Sequence, residues 1–333
     1  MTIANLIAND NGVGITRDTR LMADALRANG VDVVMSVITP TDRRLRRSKL
    51  MQTGVWARRW YARRFPRLRP PSKFDLNLMF EHVWPVHLKL ARHNIGLPNP
   101  EWFDGNDQRF LTALDFIWAK TQHSFNIFSG LGRTTLFTGF DSEDRFDAAV
   151  PRLPNFFHLA GKSPLKGTAR LLNLWQCHPE WPMLTVVQSR DLSAAGPSAH
   201  NIRVRTEYLS DHELRVLQNQ HLFHLCPSEA EGWGHYIAEA LGVGAIVITN
   251  DAAPMNELVT EARGVLVPCT AVGRQRLATV HRFDEQKMET AIHLALSLSP
   301  EQCRAIGENS RNWLAANRKL FVQRVGAALS ALR

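Results

Sequence analysis

The 333-residue chain is 44% hydrophobic, enough for two domains with their own cores, and no apolar run in it is long enough to span a membrane as a helix. Its four cysteines, Cys177, Cys226, Cys269 and Cys303, have no CxxC spacing, which argues against a disulfide framework or a zinc site and for the reduced thiols of a cytoplasmic protein. The formal charge of +9 is concentrated: residues 41–73 hold twelve Lys or Arg against one acid, so the rest of the chain is slightly acidic.

The start, Met1-Thr2-Ile3-Ala4-Asn5, lacks the basic region of a signal peptide. Ile3 to Ile7 reads as a short buried strand, followed by a loop containing Gly12, Val13 and Gly14 and a helix from about Arg17 to Asn29 with Thr16 as its cap. Gly30 ends that helix, and Val31 to Ile38 is the next strand. Strand, glycine loop, helix and strand is a doubly wound opening, although the loop is neither a P-loop nor a complete three-glycine fingerprint.

The basic segment comes next. Arg43, Arg44, Arg46 and Arg47 precede a run in which Arg58, Arg59, Arg63, Arg64, Arg67 and Arg69 interleave with Trp56, Trp60, Tyr61 and Phe65. On a helix these aromatics do not share one face, so the pattern is not cleanly amphipathic. Three readings stay open for Arg58, Arg59, Trp60, Arg63 and Arg64: an anionic membrane surface, a phosphorylated or lipid-linked acceptor, or a solvated basic loop. No nucleic-acid motif accompanies the charge, and no nucleic-acid partner is expected. Asp75 to Phe80 alternates as a strand and ends in Glu81-His82, where doubly wound folds place ligands. Phe116 to Ala119 is a further strand, leading to Lys120 and His123.

Pro151 and Pro154 suggest a linker, so the first domain is closed at about residue 150, with a second over 151–310 and a terminal helix over 311–333. Phe156 to Ala160 is a strand, and the turn after it carries Lys162 and Lys166 ahead of Gly167 and a helix through about Trp175. Two lysines at such a turn suit phosphate. Leu184 to Val187 and Ile202 to Val204 are further strands, and Ser210 with Glu213 forms a capping-box start for the next helix, just after Tyr208 and Leu209.

The most informative stretch begins with the apolar run Leu222 to Leu225 and continues through Pro227-Ser228 to Glu231-Gly232-Trp233-Gly234 and a helix from about His235 to Leu241 that contains Glu239. A helix start offers unpaired N–H groups and partial positive charge to a diphosphate. Glu231 in the turn and Glu239 in the helix are spaced so that one carboxylate can face a sugar and the other a ribose. Strand Ala245 to Thr249 follows, and the chain ends in a helical stretch over about 299–332.

Glu231 and Glu239 have seven residues between them, and with Pro227-Ser228, Glu239-Ala240-Leu241, Gly244-Ala245-Ile246-Val247 and Glu257-Leu258 they resemble the signature of retaining glycosyltransferases of the GT-B fold, family 4-like. The resemblance covers the C-terminal half well and the N-terminal half in outline. It implies an α/β protein of two doubly wound, Rossmann-like domains facing across a cleft. It also implies sugar transfer from a nucleotide-sugar donor to a hydroxyl acceptor, with no cofactor and no metal, in a setting such as polysaccharide biosynthesis.

By resemblance, Gly12, Val13 and Gly14 contact the donor or acceptor, His82 lies beside the donor sugar, and Tyr208 and Leu209 lie near the base. Lys162, Lys166 and the helix start after Gly234 hold the diphosphate, Glu231 with Gly232 and Trp233 orients the sugar, and Glu239 holds the ribose. The family's basic pair departs here, since Lys162 stands where arginine is usual and is one residue too close to Lys166. The alternatives are a non-catalytic membrane-associated partner with the same fold and a GT-B nucleotide-sugar epimerase. The expected location is cytoplasmic, with peripheral attachment to the inner membrane face as one option.

Overall fold

A computed structural model describes residues 2–9, 12, 14–64, 72–189 and 199–332. Val13, Phe65, Arg67 and Arg69 lie outside the described residues, as do the side chains of Arg59 and Arg63. The chain forms two units, one of Met1–Phe140 with Arg318–Arg333 and one of Asp141–Asn317, against expected boundaries near 150 and 310. Pro154, read as part of a linker, instead lies inside the first strand of the second unit.

The first unit contains β1 (Thr2–Ala8), α1 (Gly14–Ala28), β2 (Val31–Val37), α2 (Pro40–Arg46), α3 (Lys49–Arg64), β3 (Phe74–Phe80), β4 (Ala91–Leu97), α4 (Gly105–Phe110), β5 (Phe116–Ala119), α5 (Gln122–Gly130) and β6 (Thr135–Phe137). Its six strands are parallel, in the order β2-β1-β3-β4-β5-β6. Leu6, Ile7, Leu78, Ile95 and Ile117 are among the buried residues that make these strands apolar on both faces, as a covered parallel sheet requires. A polar ladder crosses the apolar centre: Asn5 Nδ2 donates to Asn77 Oδ1 (3.0 Å), and Asn77 Nδ2 donates to Asn94 Oδ1 (2.8 Å). A one-residue slip would leave buried amides unpaired, so the ladder specifies the register. Thr16, expected as a helix cap, lies inside α1, because the helix starts at Gly14.

In the second unit the order is β7 (Leu153–Gly161), α6 (Thr168–Gln176), β8 (Leu184–Gln188), β9 (Ile202–Arg205), α7 (Asp211–Gln220), β10 (His221–Cys226), α8 (His235–Gly242), β11 (Ile246–Asn250), α9 (Met255–Leu258), β12 (Gly264–Val267), β13 (Cys269–Gln275), β14 (Ala278–Phe283), α10 (Glu285–Leu296) and α11 (Pro300–Ser330). Its parallel sheet runs β12-β11-β10-β7-β8-β9, and β13 with β14 forms an antiparallel hairpin that sequence reasoning did not anticipate. Phe156 stacks on Phe223 at 4.8 Å within a core that includes Trp175, Ile246, Met288 and Ile292. Helix α11 is continuous, and from Arg318 onward its residues belong to the first unit, where Phe321 packs on Phe140 (5.1 Å) and Asn29 donates to the Val322 carbonyl (3.0 Å).

Strand order reverses once in each sheet. In the first, β1 is followed by β2 on one side and β3 on the other; in the second, β8 and β9 extend one way from β7, while β10 to β12 lie on its far side. Ligands of open parallel sheets bind beyond the carboxyl ends of the strands at such a reversal. The loops leaving β1, β3, β7 and β10 are therefore the places to look.

Candidate functional site

Beyond β7 and β10 the chain passes through Lys166 and Glu231, which form an ion pair although 65 residues separate them. Two features of the backbone bring the loops together: Glu229 N donates to the Leu165 carbonyl at 2.8 Å, and Gly167 has φ +66° with its Cα pressed against Pro227. A Cβ at Gly167 would lie 2.6 Å from the Pro227 carbonyl oxygen, so only glycine permits this approach. The Lys166 ammonium also lies 3.7 Å from the centre of the Tyr236 ring, which places it at the first turn of α8.

Hydrogen bonds give this cluster a direction. A carboxylate can only accept, so Ser228 Oγ donates its proton to Glu231 Oε1 (2.5 Å) and accepts from the Tyr236 hydroxyl (2.5 Å). Burial pushes the Tyr236 phenol well above its ordinary range, which keeps it a neutral donor. Under the same loop, fully buried His158 has Nδ1 2.8 Å from the Leu225 carbonyl and Nε2 2.9 Å from Thr168 Oγ1. The carbonyl requires a proton on Nδ1, so Nε2 accepts from Thr168, the first residue of α6. Burial first, and Lys166 to a lesser degree, pull this imidazole down to about 4 despite the favourable carbonyl bond.

Gly234, at φ +94°, turns the chain into α8, and its neighbours are both tied to Ser142: Trp233 Nε1 donates to Ser142 Oγ (3.0 Å), and His235 Nδ1 lies 2.8 Å from the same oxygen. Glu239, expected to hold a ribose, lies in α8. Its side chain is fully buried and accepts from Gln218 Nε2 (2.8 Å), while Gln218 Oε1 accepts from Arg145 Nε (2.5 Å). These bonds join α8 to α7 and Arg145. Lys162 is exposed and, among the described residues, makes no ion pair, while Tyr208 is 93% exposed ahead of the Ser210 cap.

In the first unit, Gly12 has φ +70° in the loop after β1 and Gly14 starts α1. At the end of β3, His82 N donates back to the Phe80 carbonyl (2.6 Å) across Glu81, whose φ of +62° is strained for a residue with a side chain. His82 Nδ1 lies 2.9 Å from Asp107 Oδ2, and Arg46 donates to the same carboxylate through Nε (2.9 Å) and Nη2 (2.6 Å) and to Asp104 (2.9 Å). Burial opposes ionisation of Asp104, yet backbone hydrogen bonds from Asp107 and Asn106 and the Arg46 charge hold its carboxyl down at about 2. Burial pushes the Glu81 carboxyl up, against the pull of His82 and Lys120.

Buried Lys120, just beyond β5, pairs with Asp18 and donates to Asn99 (3.0 Å). His123 falls instead in the first turn of α5. Sequence reasoning passed over Asp104 and Asp107, although an acid three residues after an acid at a helix start is a capping pattern; it also counted Arg46 as surface charge, whereas the side chain is buried among carboxylates.

Among the described residues, the other basic side chains of this segment face outward. Helix α3 exposes Trp56 (69%) and Trp60 (57%), and Trp56, Trp60 and Arg64 line a groove of about 860 Å³ with Arg109 and Thr112. No helix among the described residues is long and apolar enough to cross a membrane, and among the same residues no group of three or more His, Cys, Asp or Glu is placed to hold a metal ion.

No known family model matches the chain, and no curated protein sequence matches it. Solved structures do. A sucrose-phosphate synthase from Thermosynechococcus elongatus is 16% identical with a TM-score of 0.69, covering 100% of this chain and 99% of that one. The Anabaena protein HepE in complex with UDP is 15% identical with a TM-score of 0.67, covering 99% and 100%, and a glycosyltransferase from Rickettsia africae is 13% identical with a TM-score of 0.67, covering 99% and 98%. These likenesses are of fold, and they establish the chain as an α/β protein of the GT-B fold.

Proposed function

We propose that this chain is a retaining, metal-independent glycosyltransferase that moves a sugar from a nucleotide-sugar donor to a hydroxyl acceptor. The observation that carries the reading is the meeting of Lys166 and Glu231 at the first turn of α8, where the strand order of the second sheet reverses. A cation, a carboxylate and a helix start brought together there match, in order, a diphosphate's charge, a sugar's hydroxyls and the diphosphate's oxygens. The fold's likeness to a UDP-bound structure supports the same class of donor.

In this reading the bond from the sugar's anomeric carbon to the diphosphate oxygen breaks, and its electron pair leaves with the nucleoside diphosphate. The acceptor hydroxyl attacks that carbon from the same face and passes its proton to the departing phosphate oxygen. Lys166, Lys162 and the amides at the start of α8 stabilise the developing charge as fixed dipoles and charges. Glu231, oriented by Ser228, and the Gly232 and Trp233 amides hold the sugar, and His82 is assigned a ligand hydroxyl. Tyr208 and Leu209 are assigned to the base, and Gly12 and Gly14 to backbone contacts with donor or acceptor. Glu239 is assigned the ribose.

The acceptor side is read from α3. Arg58 and Arg64 beside exposed Trp56 and Trp60 suit an anionic membrane surface: each cation near such a surface contributes about 1 kcal/mol, and indole settles at headgroup depth. An acceptor held in or on that surface, lipid-linked or phosphorylated, is the matching substrate. The test is a thermal-shift panel of UDP, ADP, GDP and TDP, followed by turnover of the sugar conjugates of whichever diphosphate stabilises the protein. One diphosphate should raise the melting temperature and its sugar conjugate should be consumed. Binding without turnover, with or without an acceptor extract, would reject the transferase reading, and product formed without acceptor would point to an epimerase.

A further inference from the structure

We infer that Asp107, backed by Arg46, is a positioning residue that fixes His82 in one tautomer, with a proton on Nδ1 and a lone pair on Nε2 available to a ligand hydroxyl. The inference rests on the glycosyltransferase reading for the identity of the hydroxyl, but the tautomer follows from geometry alone.

Asp107 is fully buried, and the atoms around its carboxylate are N–H donors: Arg46 Nε and Val83 N at Oδ1 (both 2.9 Å), and Arg46 Nη2 (2.6 Å) and Asp104 N (3.1 Å) at Oδ2. His82 Nδ1 lies 2.9 Å from Oδ2 and 3.0 Å from Arg46 Nη2, so it either donates to the carboxylate or accepts from the guanidinium. The two protons of Nη2 already have carboxylate partners, Asp107 Oδ2 and Asp104 Oδ1 at 2.9 Å. A lone pair on Nδ1 would also face a carboxylate oxygen at hydrogen-bond distance, which is repulsive. The proton therefore sits on Nδ1.

The ring's other nitrogen faces the outside of this cluster. The His82 side chain keeps 20% of its surface exposed, whereas Asp107 keeps none, so the accessible part of the ring is the part away from Nδ1. Glu81 Oε2 lies 3.7 Å from Nε2, too far for a hydrogen bond. Arg46 and Trp84 also face the ring, the Trp84 ring centre lying 6.1 Å away and nearly perpendicular. Three chain segments cooperate: α2 brings Arg46, the strained turn at Glu81 swings His82 off the end of β3, and the capping pair of α4 receives both. An acceptor fixed in this way meets a hydroxyl with no reorganisation of its own.

The experiment is a long-range proton–nitrogen correlation spectrum of the full chain labelled with ¹⁵N-histidine, recorded at about pH 8, above the ordinary histidine range. The His82 signals are assigned by their loss in His82→Gln. The expected pattern is protonated Nδ1 and unprotonated Nε2, shifting toward the opposite tautomer in Asp107→Asn, which brings N–H groups where only an acceptor stood. A protonated Nε2 in the unmodified protein overturns the inference, as does an unchanged pattern in folded Asp107→Asn. If that variant does not fold, the unmodified protein's spectrum still decides. Where a nucleotide sugar is turned over, Asp107→Asn should lower kcat/KM about tenfold, the worth of one hydrogen bond to a ligand, and adding it to His82→Gln should cost little more. Absence of any turnover counts against the transferase reading and leaves the tautomer result standing.

Discussion

Replacing Gly167 by alanine tests the contact that brings Lys166 to Glu231. The residue's φ of +66° costs an L-residue about 1–2 kcal/mol. The new Cβ would lie 2.6 Å from the Pro227 carbonyl oxygen, well inside the 3.4 Å at which ordinary contact begins, and moving a strand-end carbonyl away costs about 1–3 kcal/mol. The stiffer unfolded chain returns about 0.4–1 kcal/mol, leaving a net loss of about 3 kcal/mol. Gly161 is the control: its φ is +59°, but nothing lies within 4 Å of its Cβ position, so Gly161→Ala should lose only the backbone part, about 1 kcal/mol net. In thermal melts followed by circular dichroism, Gly167→Ala should fall by about 6–12 °C and Gly161→Ala by about 2–4 °C. Equal losses in the two variants would refute the argument that close approach, rather than backbone conformation alone, shapes the Lys166 loop.

At the same site, Lys166→Met should abolish the thermal shift given by a nucleoside diphosphate, and Glu231→Ala should spare that shift but cut sugar turnover at least tenfold; unchanged turnover in both would remove the site from the reaction. For the membrane reading, Trp56→Ser with Trp60→Ser should lower co-sedimentation with vesicles of anionic phospholipid, and Arg58→Gln with Arg64→Gln should do so in a salt-dependent manner; equal binding to neutral vesicles in all forms would count against it. Burial, the first cause for each, sets folded-state values of about 4 for His158 and about 3 for His224. Both lie below the unfolded value, so between about pH 6.5 and pH 4 the unfolded chain binds more protons and stability falls as pH falls, by up to about 1.4 kcal/mol per pH unit per histidine. Urea midpoints measured across that window should drop steadily, and His158→Gln should flatten the slope.

The alternation of strands and helices was legible because buried parallel strands must be short apolar runs and the helices between them carry caps: Ser210 with Glu213 marks α7 in the sequence as it does in the fold. The hairpin of β13 and β14 was not legible, since most of β13 is exposed and its composition follows no burial pattern. Charge was read least well, for one physical reason. A carboxylate or guanidinium looks the same in the sequence whether it meets water or a buried partner, and the partners are distant: Glu239 finds Gln218 across 21 residues, and Arg46 finds Asp107 across 61. The prior that Glu and Arg lie on surfaces therefore failed at both. The place of Lys166 is better marked in the chain because Gly167 adjoins it, and a glycine held at positive φ against a neighbouring carbonyl fixes where its neighbour points. Where a charged residue adjoins such a glycine, the chain itself constrains its place; where its placement depends on a distant partner, only the folded arrangement shows it.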